Sequence, residues 1–376
     1  MRVLYFTRDY TPHDFRFLSS LAGHGHRVSS LRLERQGMRR EERPLPPEVE
    51  QIEWSGGRAP FKWTQLPGLA AELRRIVDEI DPDVIHAGPI PLVSFTAALA
   101  GVRPLVSMSW GSDLLLDTVD NPWARLRARF ALRRTDVMIG DCAAVRDRAV
   151  ELGFPAEQVV LFPWGVDLGA FSPRQGSFGI EPSGWEEDGF ILLSLRAWEP
   201  LYGVDMLVRA FARAAVQEPA LRLVLLGGGS QESLIRGTIH EAHMEEKVFL
   251  GGQVSNQKLV QYYRAADLYL SASHSDGSSV SLMEALACGL PVLVSDIPGN
   301  AEWITPGEQG WLFPDGDEAA LAQTMLRAYN ERSRLPTMRR AARILAEKRA
   351  DWTTNYRQLE RAYELAAGMY VKTGSL

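Results

Sequence analysis

Between Ser271 and Val292 the chain reads Ser-Ala-Ser-His-Ser-Asp-Gly-Ser-Ser-Val-Ser-Leu-Met-Glu-Ala-Leu-Ala-Cys-Gly-Leu-Pro-Val. The pattern predicts a strand ending near Ser273, a loop of small residues, and a helix beginning near Ser279 or Ser281. Backbone N–H groups at such a helix start form a seat for an anion, with only Gly277, Ser278, Ser279 and Val280 above them. Asp276 lies at the mouth of the loop and Glu284 about one turn into the helix. Neither carboxylate favours the anion itself, because like charges repel. Each can accept hydrogen bonds from a neighbouring diol, such as that of a ribose or hexose. A phosphate seat beside two diol-reading acids is the chemistry of a nucleotide sugar.

Something must hold that loop. Short apolar runs with the look of buried parallel strands alternate with amphipathic segments of helical length. In the first half the strand candidates are 3–7, 27–33, 84–87, 104–108, 137–139 and 159–162, with helices at 16–22, 66–80, 122–132 and 143–152. From Ser172 to Asp188 turn formers and acids replace the apolar period, which predicts an interdomain linker. The alternation then restarts with strands at 190–195, 221–226, 248–250, 268–272 and 292–295, and helices at 204–215, 231–242, 258–264, 282–287 and 318–329. The expected architecture is α/β: two Rossmann-like, doubly wound domains whose strand ends face a cleft, where such sheets bind ligands. Residues 1–175 form the acceptor side and residues 189–351 the nucleotide-sugar side. A helical tail over 352–376 is expected to return to the first domain.

The acids at 276 and 284, with seven residues between them and followed by Glu284-Ala285-Leu286-Ala287-Cys288-Gly289-Leu290-Pro291-Val292, resemble the signature of the family-4 retaining glycosyltransferases of GT-B fold. Further matches follow in order along the chain. They include Gly25-His26-Arg27-Val28, Pro82-Asp83-Val84-Ile85-His86-Ala87, Gly111-Ser112-Asp113, Gly165-Val166-Asp167 with Phe171, Arg196 with Tyr202-Gly203-Val204-Asp205, Leu226-Gly227-Gly228-Gly229, and Gly252-Gln253-Val254. The resemblance implies that Glu284 holds the donor ribose and that Asp276 sits near donor-sugar hydroxyls. It also implies that the backbone at Ser278 to Val280 lines sugar and diphosphate, and that Arg196 neutralises the diphosphate leaving group. Gln253 and Val254 would contact the base, and Asp113 would face the acceptor and the transferring sugar. No cofactor or metal is implied beyond the nucleotide-sugar co-substrate.

The sequence also departs from that pattern. Asp276 replaces the usual glutamate and is shorter by one methylene, about 1.5 Å of reach. Tyr202 stands where the family has a phosphate-binding lysine, and a phenol carries no charge at neutral pH. Pro12-His13-Asp14 replaces a Gly-Gly pair, and Trp110 replaces a histidine. His13, just past the first strand, is a candidate ligand contact, and His86, at a strand end, is a weaker one. His24 and His26 flank a helix-to-strand turn and read as structural. Retention by double displacement needs a carboxylate nucleophile at the anomeric carbon, and none is identifiable. The resemblance instead implies substitution on one face, with the departing phosphate helping to deprotonate the acceptor.

Composition narrows the alternatives. The 376 residues carry a net charge of −6, which disfavours a nucleic-acid partner. Two isolated cysteines, Cys142 and Cys288, offer no zinc site or disulfide framework. Asp81-Pro82-Asp83 and Asp315-Gly316-Asp317 have the form of metal-binding pairs but sit in turns that need these residues anyway. The start of the chain does not read as a secretory leader, and the apolar run from Pro91 to Trp110 is broken by Arg103 and Pro104, so a cytoplasmic protein is expected. Arginines gather at Arg39, Arg40 and Arg43 and from Arg125 to Arg134. The stretch from Trp123 to Arg134, with Trp123, Leu126 and Phe130 on one face, is either a helix packed on its own sheet or a peripheral membrane contact. The leading expectation is hexosyl transfer from a UDP- or GDP-linked donor to a glycan, lipid-carrier or small-molecule acceptor. The alternatives are an epimerase or phosphorylase of the same fold, or a donor-binding protein with little activity.

Overall fold

In the computed structural model, which describes residues 1–33, 41, 43–58, 60–173, 185 and 189–373, the chain divides into two compact units. One comprises Met1–Phe162 with the chain from Tyr356 onward, the other Pro163–Asn355. Most of the expected linker, and Arg39 and Arg40, lie outside the described residues.

The first unit contains β1 (Arg2–Thr7), α1 (Pro12–Gly23), β2 (Arg27–Arg32), β3 (Val49–Gln51), α2 (Leu66–Ile80), β4 (Val84–Gly88), α3 (Phe95–Ala100), β5 (Leu105–Met108), α4 (Ser112–Leu115), α5 (Asp117–Asp120), α6 (Pro122–Leu132), β6 (Val137–Gly140), α7 (Ala143–Glu151) and β7 (Val159–Leu161). Its strands pair in the order β3-β2-β1-β4-β5-β6-β7, every pair parallel. Central strands such as β4 are buried along their whole length, which is why they read as unbroken apolar runs. Thr11 caps α1 reciprocally with Asp14, so that helix begins four residues earlier than its apolar period predicts.

The second unit contains β8 (Phe190–Ser194), α8 (Val204–Gln217), β9 (Leu221–Leu226), α9 (Glu232–Glu241), β10 (Val248–Gly252), α10 (Asn256–Ala265), β11 (Leu268–Ser271), α11 (Val280–Ala287), β12 (Val292–Ser295), α12 (Pro298–Ala301), β13 (Gly310–Phe313), α13 (Glu318–Asn330) and α14 (Leu335–Arg349). The order is β10-β9-β8-β11-β12-β13, again all parallel. The direction of winding reverses between β8 and β11, so the loops leaving those two strands flank a topological switch point. Both Arg196 and Asp276 are on those loops.

One boundary differs from expectation. Val166, expected at the close of the first domain, bridges Asp351 in parallel and donates its N–H to Ala350 O at 2.7 Å, so this element belongs to the second unit. Asp351 accepts from Thr353 and Thr354 N–H and restarts the chain as α15 (Trp352–Thr373). From Tyr356 on, α15 packs with the first unit. His24 stacks on Tyr356 at 4.3 Å, and Tyr363 Oη lies 2.6 Å from His86 Nδ1.

Gly203 shows how closely the switch-point loops approach. It has φ +58°, and a Cβ there would lie 2.3 Å from Ala272 O at the end of β11. Gly203→Ala is therefore expected to destabilise the second unit by about 1–3 kcal/mol, read as a lowered melting temperature. The same substitution at Gly228, whose added Cβ meets nothing within 4 Å, is expected to leave it nearly unchanged.

Candidate functional site

Arg196 leaves β8 and turns into the second unit, where its side chain is only 12% exposed. Nη1 donates to Ser279 Oγ at 2.9 Å and to Ser281 Oγ at 3.1 Å. Nη2 lies 2.7 Å from Asp276 Oδ2 as an ion pair. The guanidinium face covers the Tyr202 ring, 4.3 Å from its centroid. Burial is the largest influence on this group and opposes its charge. Asp276, then Tyr269, Tyr202 and Tyr263, together outweigh it and hold the pKa above its ordinary value. Arg196 is thus a fixed positive charge of defined direction.

Ser279 is the N-cap residue of α11, yet its hydroxyl makes no capping bond to the helix. A serine there ordinarily accepts from the helix's own first N–H groups; this one instead accepts from Arg196. Gly277 and Ser278 precede it and are buried, and Val280 opens the helix. The close approach of α12 fixes this turn, since a Cβ on Gly299 would sit 2.3 Å from Gly277 O.

Glu284 lies one turn into α11 and is half-buried, with Oε2 accepting from Tyr263 Oη at 2.8 Å. Burial first, and then Glu284, hold the Tyr263 phenol well above its usual pKa, so it remains a donor at any ordinary pH. Tyr269 Oη lies 2.7 Å from Ser281 Oγ. Ser281 thereby joins the arginine to the aromatic floor beneath α11. Tyr263, Tyr269 and Ser281 were not singled out from sequence. The only signal was two buried phenols, which need partners for their hydroxyls.

The neighbouring loops are tied to this one. Trp198 N–H donates to Gly228 O at 3.0 Å, and Gly227 N–H to Gly252 O at 2.7 Å. Gln253, exposed, and Val254, half-buried, follow Gly252 directly, on the same edge of the sheet as Arg196. Gly227-Gly228-Gly229 is a tight turn: a Cβ on Gly229 would meet Trp198 O at 2.5 Å.

In the first unit the expected residues take different roles. Asp113, proposed from the resemblance as catalytic, has both oxygens committed inside the protein. Oδ1 accepts from Ser109 Oγ at 2.6 Å and Trp110 N–H at 2.9 Å, and Oδ2 from Ile90 N–H at 2.9 Å. Burial pushes its pKa up to about 6 against those three bonds. It clamps the loops after β4 and β5 rather than presenting a free carboxylate. His13, in the first turn of α1, packs 5.5 Å from the Trp110 ring centroid. Its Nδ1 is buried without a hydrogen-bond partner among the described residues. Burial, with Arg16 second, lowers its pKa to about 3, so the imidazole is neutral. His86 is fully buried between Tyr363 and Met108 Sδ and is structural. His26 reaches Glu360 at 3.5 Å.

The two Asp-x-Asp pairs are occupied elsewhere. Asp81 and Asp83 both hold Arg2, Asp315 accepts from or pairs with His274 Nδ1 at 2.7 Å, and Asp317 caps α13. Among the described residues no group of three His, Cys, Asp or Glu side chains is placed to hold a metal ion. Cys142 and Cys288 are buried free thiols, and burial pushes Cys288 up to about 12, which leaves it unreactive.

The model for glycosyl transferases group 1 matches residues 179–349, and that for glycosyltransferase family 4 matches residues 15–170. The chain is 28% identical over 337 residues to the D-inositol 3-phosphate glycosyltransferase of Pseudarthrobacter chlorophenolicus, covering 82% of this chain and 78% of that one. It is 29% identical over 253 residues to the putative colanic acid biosynthesis glycosyltransferase WcaL of Escherichia coli, covering 65% and 60%. In fold it is similar to sucrose-phosphate synthase of Thermosynechococcus elongatus, with a TM-score of 0.79 at 18% identity over 97% of this chain and 98% of that one. Anabaena HepE, solved with UDP-glucose, has a TM-score of 0.75 at 20% identity over 96% and 99%. The two parallel sheets are the Rossmann-like domains of a GT-B enzyme. This chain belongs to the family-4 glycosyltransferases, enzymes that transfer sugars.

Proposed function

We propose that this chain is a retaining hexosyltransferase that takes its sugar from a UDP- or GDP-linked donor, acts without a metal ion, and delivers to a glycan, lipid-carrier or small-molecule acceptor on the cytoplasmic side of the membrane. The arrangement that carries this reading is the Arg196 guanidinium pinned to the start of α11, with Asp276 beside it and Glu284 one turn further in. A fixed cation and a helix start together stabilise the charge that develops on a departing diphosphate. Glu284, steadied by Tyr263, is the diol acceptor for the ribose, and Asp276 faces the sugar side of the same loop. With Asp276 paired to Arg196, same-face substitution assisted by the leaving phosphate is favoured over attack by a free carboxylate. A uridine donor is further supported by HepE, solved with UDP-glucose, and by the pneumococcal O-GlcNAc transferase GtfA, solved with UDP and GlcNAc.

The test is a thermal-shift panel of UDP-glucose, UDP-N-acetylglucosamine, GDP-mannose and ADP-glucose in EDTA. A donor at about a hundred times its Kd adds roughly 2.7 kcal/mol of stability. A selective rise that survives EDTA is the expected result and names base and sugar together. A rise that requires added divalent metal would overturn the metal-free mechanism, and none with any donor would overturn the donor class.

A further inference from the structure

Helix α6 turns Trp123 and Leu126 outward, while Phe130 is half-buried against Phe95, with ring centroids 5.3 Å apart. It packs inward through Ala124, Ala128, Ala131 and Leu132, all buried. Trp123 is 71% exposed and Leu126 58%. At about 100° per residue, Trp123, Leu126 and Phe130 form one stripe opposite those alanines. Arg125, Arg129 and Arg133 run along one side of the stripe, and Arg127 and Arg134 along the other. Between Asn121 and Arg134 there are five arginines and no acid, in a chain whose net charge is −6. Arg125, Arg129 and Arg133 are exposed, and among the described residues no carboxylate pairs with them. Arg134 lies over the Phe130 ring at 3.7 Å and Arg127 over Trp63 at 4.2 Å, which keeps the second row of charge beside aromatic surface. Val119, on the short helix α5 packed against α6, is 60% exposed and extends the apolar area. The nearest acids in sequence, Asp117 and Asp120, precede the helix.

We infer that the outer face of α6 docks the first unit on an anionic lipid bilayer, with Trp123 and Leu126 entering the headgroup region and the flanking arginines binding lipid phosphates. An apolar stripe bordered on both sides by cations matches a surface that is apolar below and anionic above. An aromatic side chain with a polar edge is suited to that boundary. Water gives no reason to hold a tryptophan and a leucine outward on a helix whose packing needs are met by alanines. No helix among the described residues is long and apolar enough to cross a membrane, so this is attachment at the surface.

Cosedimentation with vesicles tests it, using phosphatidylcholine alone and phosphatidylcholine mixed with phosphatidylglycerol. The intact chain is expected to sediment with the anionic vesicles only, and less as salt is raised. Arg125→Gln with Arg129→Gln and Arg133→Gln is expected to lower partitioning on the order of 100-fold, at about fivefold per arginine. Trp123→Ala with Leu126→Ala is expected to lower it at least about tenfold. These side chains point outward, so melting temperatures are expected to stay at the wild-type value, which separates lost docking from lost folding. The emission difference between wild type and Trp123→Phe is expected to shift to the blue on adding anionic vesicles. Absence of binding to anionic vesicles, binding unchanged in both variants, or no shift of the Trp123 emission would each overturn the inference. So would variants that change only the sedimentation-velocity mass, since the face would then join two copies of the chain.

Discussion

Arg196→Ala is expected to lower turnover by about 100- to 1,000-fold, the range for removing a preorganised partner of a developing negative charge. The size follows from the site's economy of charge. Tyr202, an uncharged phenol, occupies the position where the family carries a second cation, and its ring lies against the Arg196 guanidinium. In the proposed reaction one arginine, Arg196, would therefore face the leaving diphosphate. Arg196→Lys retains the charge but loses the planar fork that joins Ser279 and Ser281, through Nη1, to Asp276, through Nη2, and the stack on Tyr202. It is expected to fall between wild type and alanine. Steady-state kinetics with the donor found by thermal shift measure both, and kcat should fall more than KM rises, because the charge develops in the transition state. Removing Arg196 also leaves Asp276 without its counter-ion, so melting temperatures must accompany the rates. A folded alanine variant within a few-fold of wild type would assign the leaving-group charge to the helix start alone.

The elements that position this arginine were legible because parallel strands buried on both faces announce themselves as apolar runs. Helices α2 and α6 have the boundaries their apolar and capping patterns predict, Leu66–Ile80 and Pro122–Leu132. Strands β3 and β13 were missed for the opposite reason: both are sheet edges, short, and two of the three residues of β3 are exposed and polar. Asp113 could be found by resemblance but not understood by it. Its meaning depends on Ile90, 23 residues away, and no local pattern encodes that clamp. Helix α6 carried the subtler ambiguity. Its pattern puts Trp123, Leu126 and Phe130 on one face, and packing logic assigns such a face to the core. The alanines on the other side do the packing, because the helix lies close against its neighbours α3 and α5. Small residues pack well without standing out in a periodicity. The link from Arg196 through Ser281 to Tyr263 and Glu284 was likewise invisible, since it joins the loop after β8, α10 and α11 by single hydrogen bonds.

That link makes Glu284 the site of the second large effect. Glu284→Ala is expected to weaken donor binding by about 100-fold, with kcat at saturating donor changing far less. A carboxylate accepting two hydrogen bonds from a ribose diol contributes about 1.5–3 kcal/mol through each, less where water replaces it. The diol is the same in ground and transition states, so its loss belongs to binding rather than chemistry. The fold is expected to survive, because Tyr263 Oη already lies 3.1 Å from Ser281 O and can turn its single proton there when the carboxylate is gone. A paired substitution on protein and ligand makes the assignment sharp. Isothermal titration of wild type and Glu284→Ala, each with UDP and with 2′,3′-dideoxy-UDP, closes a cycle. If Glu284 reads the diol, deoxygenation weakens binding to wild type by about 100-fold and barely affects the variant, a coupling well beyond the few tenths of a kcal/mol seen for independent sites. If the two losses simply add, Glu284 acts elsewhere than on the ribose.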